Sequence, residues 1–180
     1  LLPAAQEGQP GDAGHGEMER IVKKLKKRMA YVLLDAPAGL GPGVSALLPA
    51  SDHALVVTTP DDVAMRDAER AIALTEAAGL PRPMLVVNRV RPDMVARGEM
   101  YSPQAVASAL DVPLLGYVPE DRAVLAAAAR HESFMDTEGP AKQVMERIAQ
   151  RFLGEFVPMP TMERKRRWWE RGSRSTGVGM

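Results

Sequence analysis

Apolar residues fall along this chain in two rhythms. Short, nearly continuous apolar runs at residues 31–35 (YVLLD), 53–59 (HALVVTT), 83–89 (PMLVVNR) and 112–118 (VPLLGYV) read as strands buried on both faces. Between them, apolar residues recur at helical spacing. Met18, Ile21, Val22, Leu25 and Met29 make one stripe, and Val144, Ile148 and Phe152 make another after the Gly139-Pro140 break. Pro60 and Asp61 open a helix that runs to about Ala78, where Gly79 closes it. Ser102-Pro103 is a cap and first-turn pair for a helix to Leu110, and further helical segments are expected near residues 44–48 and 121–130. Leu1-Leu2 reads as the remnant of a strand, with a loop following to about Gly16. Strands alternating with helices predict an α/β fold, a parallel sheet covered on both faces in three layers.

Composition narrows this picture only slightly. At 180 residues the chain buries one ordinary core, expected over residues 1–157, with a tail at 158–180. Basic and acidic residues balance at 23 each, so overall charge points to no nucleic-acid partner. The chain has no Cys, which excludes disulfides and thiolate metal sites and suits the cytoplasm. His15, His53 and His131 have no metal-ligand spacing. No apolar run approaches the roughly 20 residues that cross a bilayer. A start on Leu, inside an apparent strand end, reads as a fragment of a longer chain. Lys23, Lys24, Lys26 and Lys27 suggest either a nucleic-acid patch or a solvated helix face with cations near its C-terminus, and the second is the simpler reading.

Three strand ends carry candidate chemistry, because ligands of parallel sheets collect at the carboxyl edge. Asp35 ends its apolar run and is followed by Ala36-Pro37-Ala38-Gly39. A carboxylate there can hold the water shell of Mg²⁺ beside nucleotide phosphates, and Gly39 lets a backbone N–H approach a terminal phosphate. An Asp in that place is also an ordinary turn former. Asn88 offers a donor and an acceptor to an adenine edge, and the Arg89 guanidinium can stack on a base; the same pair also suits a plain loop. Pro119-Glu120-Asp121 serves equally as a helix start. The phosphate-binding GxxxxGK[ST] loop is missing, since none of Lys23, Lys24, Lys26, Lys27, Lys142 and Lys165 follows a Gly. Gly11-Asp12-Ala13-Gly14-His15-Gly16 imitates such a loop, but it lacks the Lys and sets Asp12, Glu17 and Glu19 where phosphate charge would sit.

Read in order, YVLLDAPAG, VVTTPDDVAMRDAER, LVVNRVRPDMVARGEM and VPLLGYVPEDRAVLAA resemble the deviant-Walker P-loop ATPases of the MinD/ParA family, in its septum-site-determining branch. The likeness covers nearly the whole chain but only the carboxyl-terminal part of the family's domain. It implies a P-loop NTPase-like fold lacking its amino-terminal P-loop unit, and an ATP-dependent homodimer that acts in division-site placement. By position, Asp35 would hold Mg²⁺ through water, and Pro37 and Gly39 would lie near the γ-phosphate of ATP. Asn88, Arg89, Pro119 and Glu120 would surround the adenine. Arg66 and Asp67 would fall on the helix facing the dimer partner and the MinC and MinE regulators. With the P-loop lysines missing, the chain carries no catalytic residue of the family and is expected to be inactive alone. Thr59 stands where the family usually has Asn, and Glu99 where it usually has Asp.

The end of the chain completes the resemblance. From Thr161 onward six basic residues, among them Arg166 and Arg167, face Glu163 and Glu170, with Trp168 and Trp169 between them. This is similar in kind to the family's membrane-targeting helix, implying peripheral attachment to an anionic inner membrane surface, with no nucleic acid bound. Residues 172–180 are polar and Gly-containing and are expected to be disordered. Two other readings remain: a non-catalytic partner-binding module, and a related partition or flagellar-number ATPase.

Overall fold

The computed structural model describes residues 15–160 except 38 and 137. The expectations for Leu1-Leu2, for the loop before His15 and for the tail with Arg166, Arg167, Trp168 and Trp169 lie outside the described residues. Helix α1 (His15–Leu25) buries Val22 and half-buries Met18 and Leu25, against α2 (Pro42–Leu47) and the 3₁₀ turn Leu48–Ala50. Lys26 Nζ lies 2.6 Å from Asp52 Oδ2, joining the end of α1 to the approach to the first strand.

Three parallel strands follow, β1 (Leu55–Thr58), β2 (Met84–Val90) and β3 (Leu114–Pro119), in the order β1-β2-β3. The helices between and after them are α3 (Asp62–Ala77), α4 (Pro92–Arg97), α5 (Pro103–Ala109), α6 (Arg122–Ala129) and α7 (Pro140–Phe152). Alternation along β2 separates two cores. Leu85, Val87 and Val90 join Ala68 and Ile72 of α3 and Val106 of α5 on one face. Val86 joins Leu115, Ala141 and Ile148 on the other, under α7. The expected three-layer α/β arrangement is therefore present, with β2 its most enclosed strand.

Local chemistry explains most boundaries. The Asp61 carboxylate accepts from Ala64 N–H at the start of α3, and Ser102 Oγ accepts from Ala105 N–H at the start of α5. Gly79 ends α3 at a φ of +78°, a conformation glycine takes without strain. Asp121 serves two helices: Oδ1 accepts from Ala123 N–H at 2.9 Å in α6, and Oδ2 accepts from Ala141 N–H at 3.2 Å in α7.

One expected strand is corrected. Residues 31–37 do not form a strand, because no described residue supplies the hydrogen-bonded neighbour that an apolar run needs. Leu33 is 85% exposed as a result. Asp35 is therefore not presented by a strand of this sheet. Helix α4 was not expected from the sequence, although Pro92 at its first turn and Gly98 at φ +75° after its end are ordinary helix punctuation.

Candidate functional site

Parallel pairing puts the carboxyl ends of all three strands on one edge of the sheet. Thr58-Thr59, Asn88-Arg89 and Pro119-Glu120 stand side by side there. An open cleft of about 1760 Å³ separates β1 from residues 31–37. Asp35, Pro37, Gly39, Thr58, Thr59 and Asn88 all line it, so the loop carboxylate and the β2 amide share one cavity although Asp35 is on no strand. Gly39 has a φ of +84° in open space, and this backbone conformation by itself favours glycine. The Pro37 ring packs over the first turn of α2, where a side chain at Gly43 would lie 2.7 Å from Pro37 Cγ.

The end of β2 is irregular in a way that matters for the site. Register runs from Val87 opposite Tyr117 directly to Val90 opposite Pro119, so a bulge throws Asn88 and Arg89 out of the ladder. Arg89 takes a φ of +55°, uncommon for a residue with a Cβ, and its N–H donates to Asn88 Oδ1 at 2.8 Å. That bond uses one lone pair of the Asn88 amide oxygen and orients the group, with Nδ2 as its donor to a base. Arg89 Nη2 lies 3.3 Å from Glu120 Oε1, and Arg91 Nε lies 3.7 Å from Oε2, so one carboxylate spans two guanidinium groups. These pairs are largely solvated and orient the side chains more than they stabilise the fold. Glu120 N–H also donates to Val90 O at 2.9 Å, fixing the loop after β3 to the end of β2. Arg89, Pro119 and Glu120 thus form a second group beside the cleft and do not line it.

The start of α3 adds residues that sequence reading assigned no role in the site. Thr59 Oγ1 donates to Asp61 Oδ2 at 2.5 Å. This bond, with the Ala64 amide, holds the Asp61 carboxyl below its ordinary pKa. Tyr101 Oη donates to Asp62 Oδ1 at 3.0 Å, and the bond and charge of Asp62 raise the Tyr101 phenol above its usual value. The loop after α4 is thereby tied to the first turn of α3. A Thr two residues before a capping Asp was a readable signal; the Tyr101 contact, across 39 residues, was not. Arg66 and Asp67 are both exposed on α3, and Asp67 Oδ1 accepts from Arg70 Nη1 at 3.4 Å.

Among the described residues no three His, Cys, Asp or Glu side chains converge as a metal cage. Mg²⁺ keeps most of its water and is bound through one or two carboxylates plus phosphate oxygens, so Asp35, one of three Asp residues that line the cleft with Asp52 and Asp67, fits that ion only beside a nucleotide. Among the same residues no helix is long and apolar enough to cross a membrane.

Comparison with known proteins identifies the family and supports the fold. Residues 15–153 match the ParA family, described as NUBPL iron-transfer P-loop NTPase. The septum site-determining protein MinD of Bacillus subtilis is 36% identical over 165 residues, covering 91% of this chain and 62% of that protein. The structure of the MinD cell division protein of Aquifex aeolicus superposes with a TM-score of 0.78 at 30% identity, over 82% of this chain and 64% of that one. The Aquifex aeolicus MinC:MinD cell division protein complex gives a TM-score of 0.77 at 30% identity, over 82% and 62%. The chain thus spans about three fifths of the length of the relatives it matches. It belongs to the ParA family of P-loop NTPases, and the relatives it resembles within that family are MinD septum site-determining proteins.

Proposed function

We propose that this chain is the adenine- and partner-binding part of a MinD-like ATPase that acts in division-site placement. The observation that carries the reading is the shared edge: Asp35, Thr59 and Asn88 line one cleft, and the Arg89–Glu120 pair stands beside it. In this reading Asn88 Nδ2 and the Arg89 guanidinium meet the base, with the backbone at Pro119 and Glu120 closing the pocket. Asp35 orients water on Mg²⁺, while Pro37 and Gly39 keep the turn close to the terminal phosphate. ATP and Mg²⁺ supply the phosphoryl chemistry when bound; the residues of this chain position and orient.

The missing GK[ST] loop sets a limit on the chain by itself. Phosphates are gripped by that loop's N–H groups and Lys, so the isolated chain is expected to bind ATP only in the millimolar range and to hydrolyse none above background. The cleft between β1 and residues 31–37 is the place we assign to the family's P-loop unit. Exposed Arg66 and Asp67 on α3 suit a second subunit or regulators of the MinC and MinE kind, and similarity to a MinC:MinD complex supports the MinC-like partner. The basic tail with Trp168 and Trp169 suits peripheral attachment to an anionic membrane surface, most effectively in a dimer that presents two tails.

Amide chemical-shift mapping with millimolar ATP, adenosine and inorganic triphosphate tests the base site. Adenosine and ATP are expected to shift Asn88, Arg89 and Glu120, with triphosphate alone leaving them unmoved. Shifts confined to other residues, or ATP turnover by this chain that Asp35→Ala removes, would overturn the reading. For the tail, Trp fluorescence should move to the blue on anionic vesicles and lose that response when Trp168 and Trp169 are replaced by Ala.

A further inference from the structure

Arg151, in the last turn of α7, does something that neither the nucleotide edge nor the core requires. Its guanidinium has three hydrogen bonds, all to backbone carbonyls. Nε donates to Val157 O at 2.7 Å, Nη2 to Pro158 O at 2.8 Å, and Nη1 to Leu115 O at 3.0 Å. Two of those carbonyls belong to the segment that follows α7, and the third belongs to β3. The planar fork suits this work, because its donors point in fixed and different directions.

The sheet provides a passage for it. Register moves from Leu85 opposite Leu114 to Val86 opposite Gly116, so Leu115 is an extra residue of β3 without a partner in the ladder. Gly116 leaves the space through which the guanidinium passes: a Cβ there would lie 2.5 Å from Ile148 Cγ1 and 3.2 Å from Arg151 Nη1. A second tie comes from the opposite face. Tyr117 belongs to the core under α3 and α5, yet its hydroxyl donates to Pro160 O at 3.3 Å. Residues 157–160 are therefore held by side chains from both faces of β3, the last strand of the sheet.

We propose that Arg151 is a clasp: it fastens residues 157–160 against β3 and so fixes the position of Pro160, the residue after which the basic tail begins. Two consequences follow from the geometry. Residues 157–160 are held against β3 through side chains, and no described backbone-to-backbone bond extends the sheet onto them. The position of Pro160, after which the tail begins, is also tied to β3, the strand that leads to Pro119 and Glu120. The second consequence rests on the membrane reading above for what the tail does, but the clasp itself does not.

The test uses the whole 180-residue chain, which has no Cys, so introduced cysteines are its only spin-label sites. One label at Met159→Cys and another at Ser108→Cys on α5 report the segment's position by double electron–electron resonance. A control pair at Ser108→Cys and Ala129→Cys reports the fold. The clasp predicts a narrow distance distribution for the first pair, roughly doubled in width by Arg151→Met and by Arg151→Gln, with the control pair unchanged. Arg151→Lys, whose single head cannot reach three carbonyls, should fall between. If Arg151→Met disturbs the control pair, Arg151→Gln decides. A broad distribution in the parent, or one as narrow in Arg151→Gln as in the parent, would overturn the clasp. Vesicle binding by the tail is a separate readout: its failure would remove the membrane reading and leave the clasp standing.

Discussion

The sheet body and the layer formed by residues 15–50 contain similar stretches of sequence. In β2, Leu85 and Val87 are wholly buried; in the apolar run at 31–35, Leu33 is 85% exposed and Tyr31 63%. Apolar character does not separate the two. β2 has β1 on one side, β3 on the other, and helices over both faces, so Leu85, Val86 and Val87 are paired and enclosed. Residues 31–37 face a cleft, and β1 across it leaves Leu55 and Val57 half exposed on the uncovered face. A strand is therefore a property of a pair of segments. A run of β-forming residues becomes one only where a neighbour completes its hydrogen bonds.

The largest test of that contrast is amide hydrogen exchange. Amides of residues 84–90 should exchange about three orders of magnitude more slowly than those of 31–37, since opening β2 requires the sheet to open. Equal protection would show that 31–37 has a partner in solution. Truncation should divide the regions next. Leu85→Ala is expected to cost about 2–5 kcal/mol in urea unfolding, whereas Leu33→Ala should stay within about 0.5 kcal/mol.

Asp121 sharpens the comparison from the sheet side, because one carboxylate caps both α6 and α7. Asp121→Ala should lower stability by about 1–3 kcal/mol, while Asp121→Asn, which keeps an acceptor oxygen, should lose less. The smallest effect is a pH dependence at the cap of α3. The Thr59 hydroxyl and the Ala64 amide lower the pKa of Asp61 in the fold. Its contribution is therefore complete above the ordinary value of 3.8 and fades as pH falls from there through the folded value. Thermal unfolding of Asp61→Asn should lack this component of the parent's acid sensitivity.

Much of the sheet body was legible in the sequence. Continuous apolar runs marked β1, β2 and β3 to within a few residues, and Asp61, Ser102-Pro103 and Gly139-Pro140 marked helix starts. What escaped was relational. Residues 31–35 look like β2 letter by letter, and only the absence of a described neighbour sets them apart. Asn88 and Arg89 were read as a base-binding pair, but the bulge that displaces them, and the Arg89 amide that occupies Asn88 Oδ1, depend on register with β3. Arg151 lies in the last turn of an amphipathic helix and was assigned no role from the sequence. Its role depends on an unpaired carbonyl at Leu115 and an empty position at Gly116, both on another element.

The order β1-β2-β3 repeats the order of the chain, and this has a consequence during synthesis. Each strand waits for its next neighbour across one connection of about 25 residues, or about 1–5 seconds at ordinary ribosomal speed. Thr58 is made well before Met84, yet Asp61 can cap α3 and begin closing one face while β1 still lacks its first ladder partner. Once β2 emerges, every later element docks on something already in place. Residues 31–37 are made before all of this, and nothing synthesised after them, as far as Pro160, pairs with them. They leave the ribosome early, and no described residue gives them a ladder when the sheet beside them is complete.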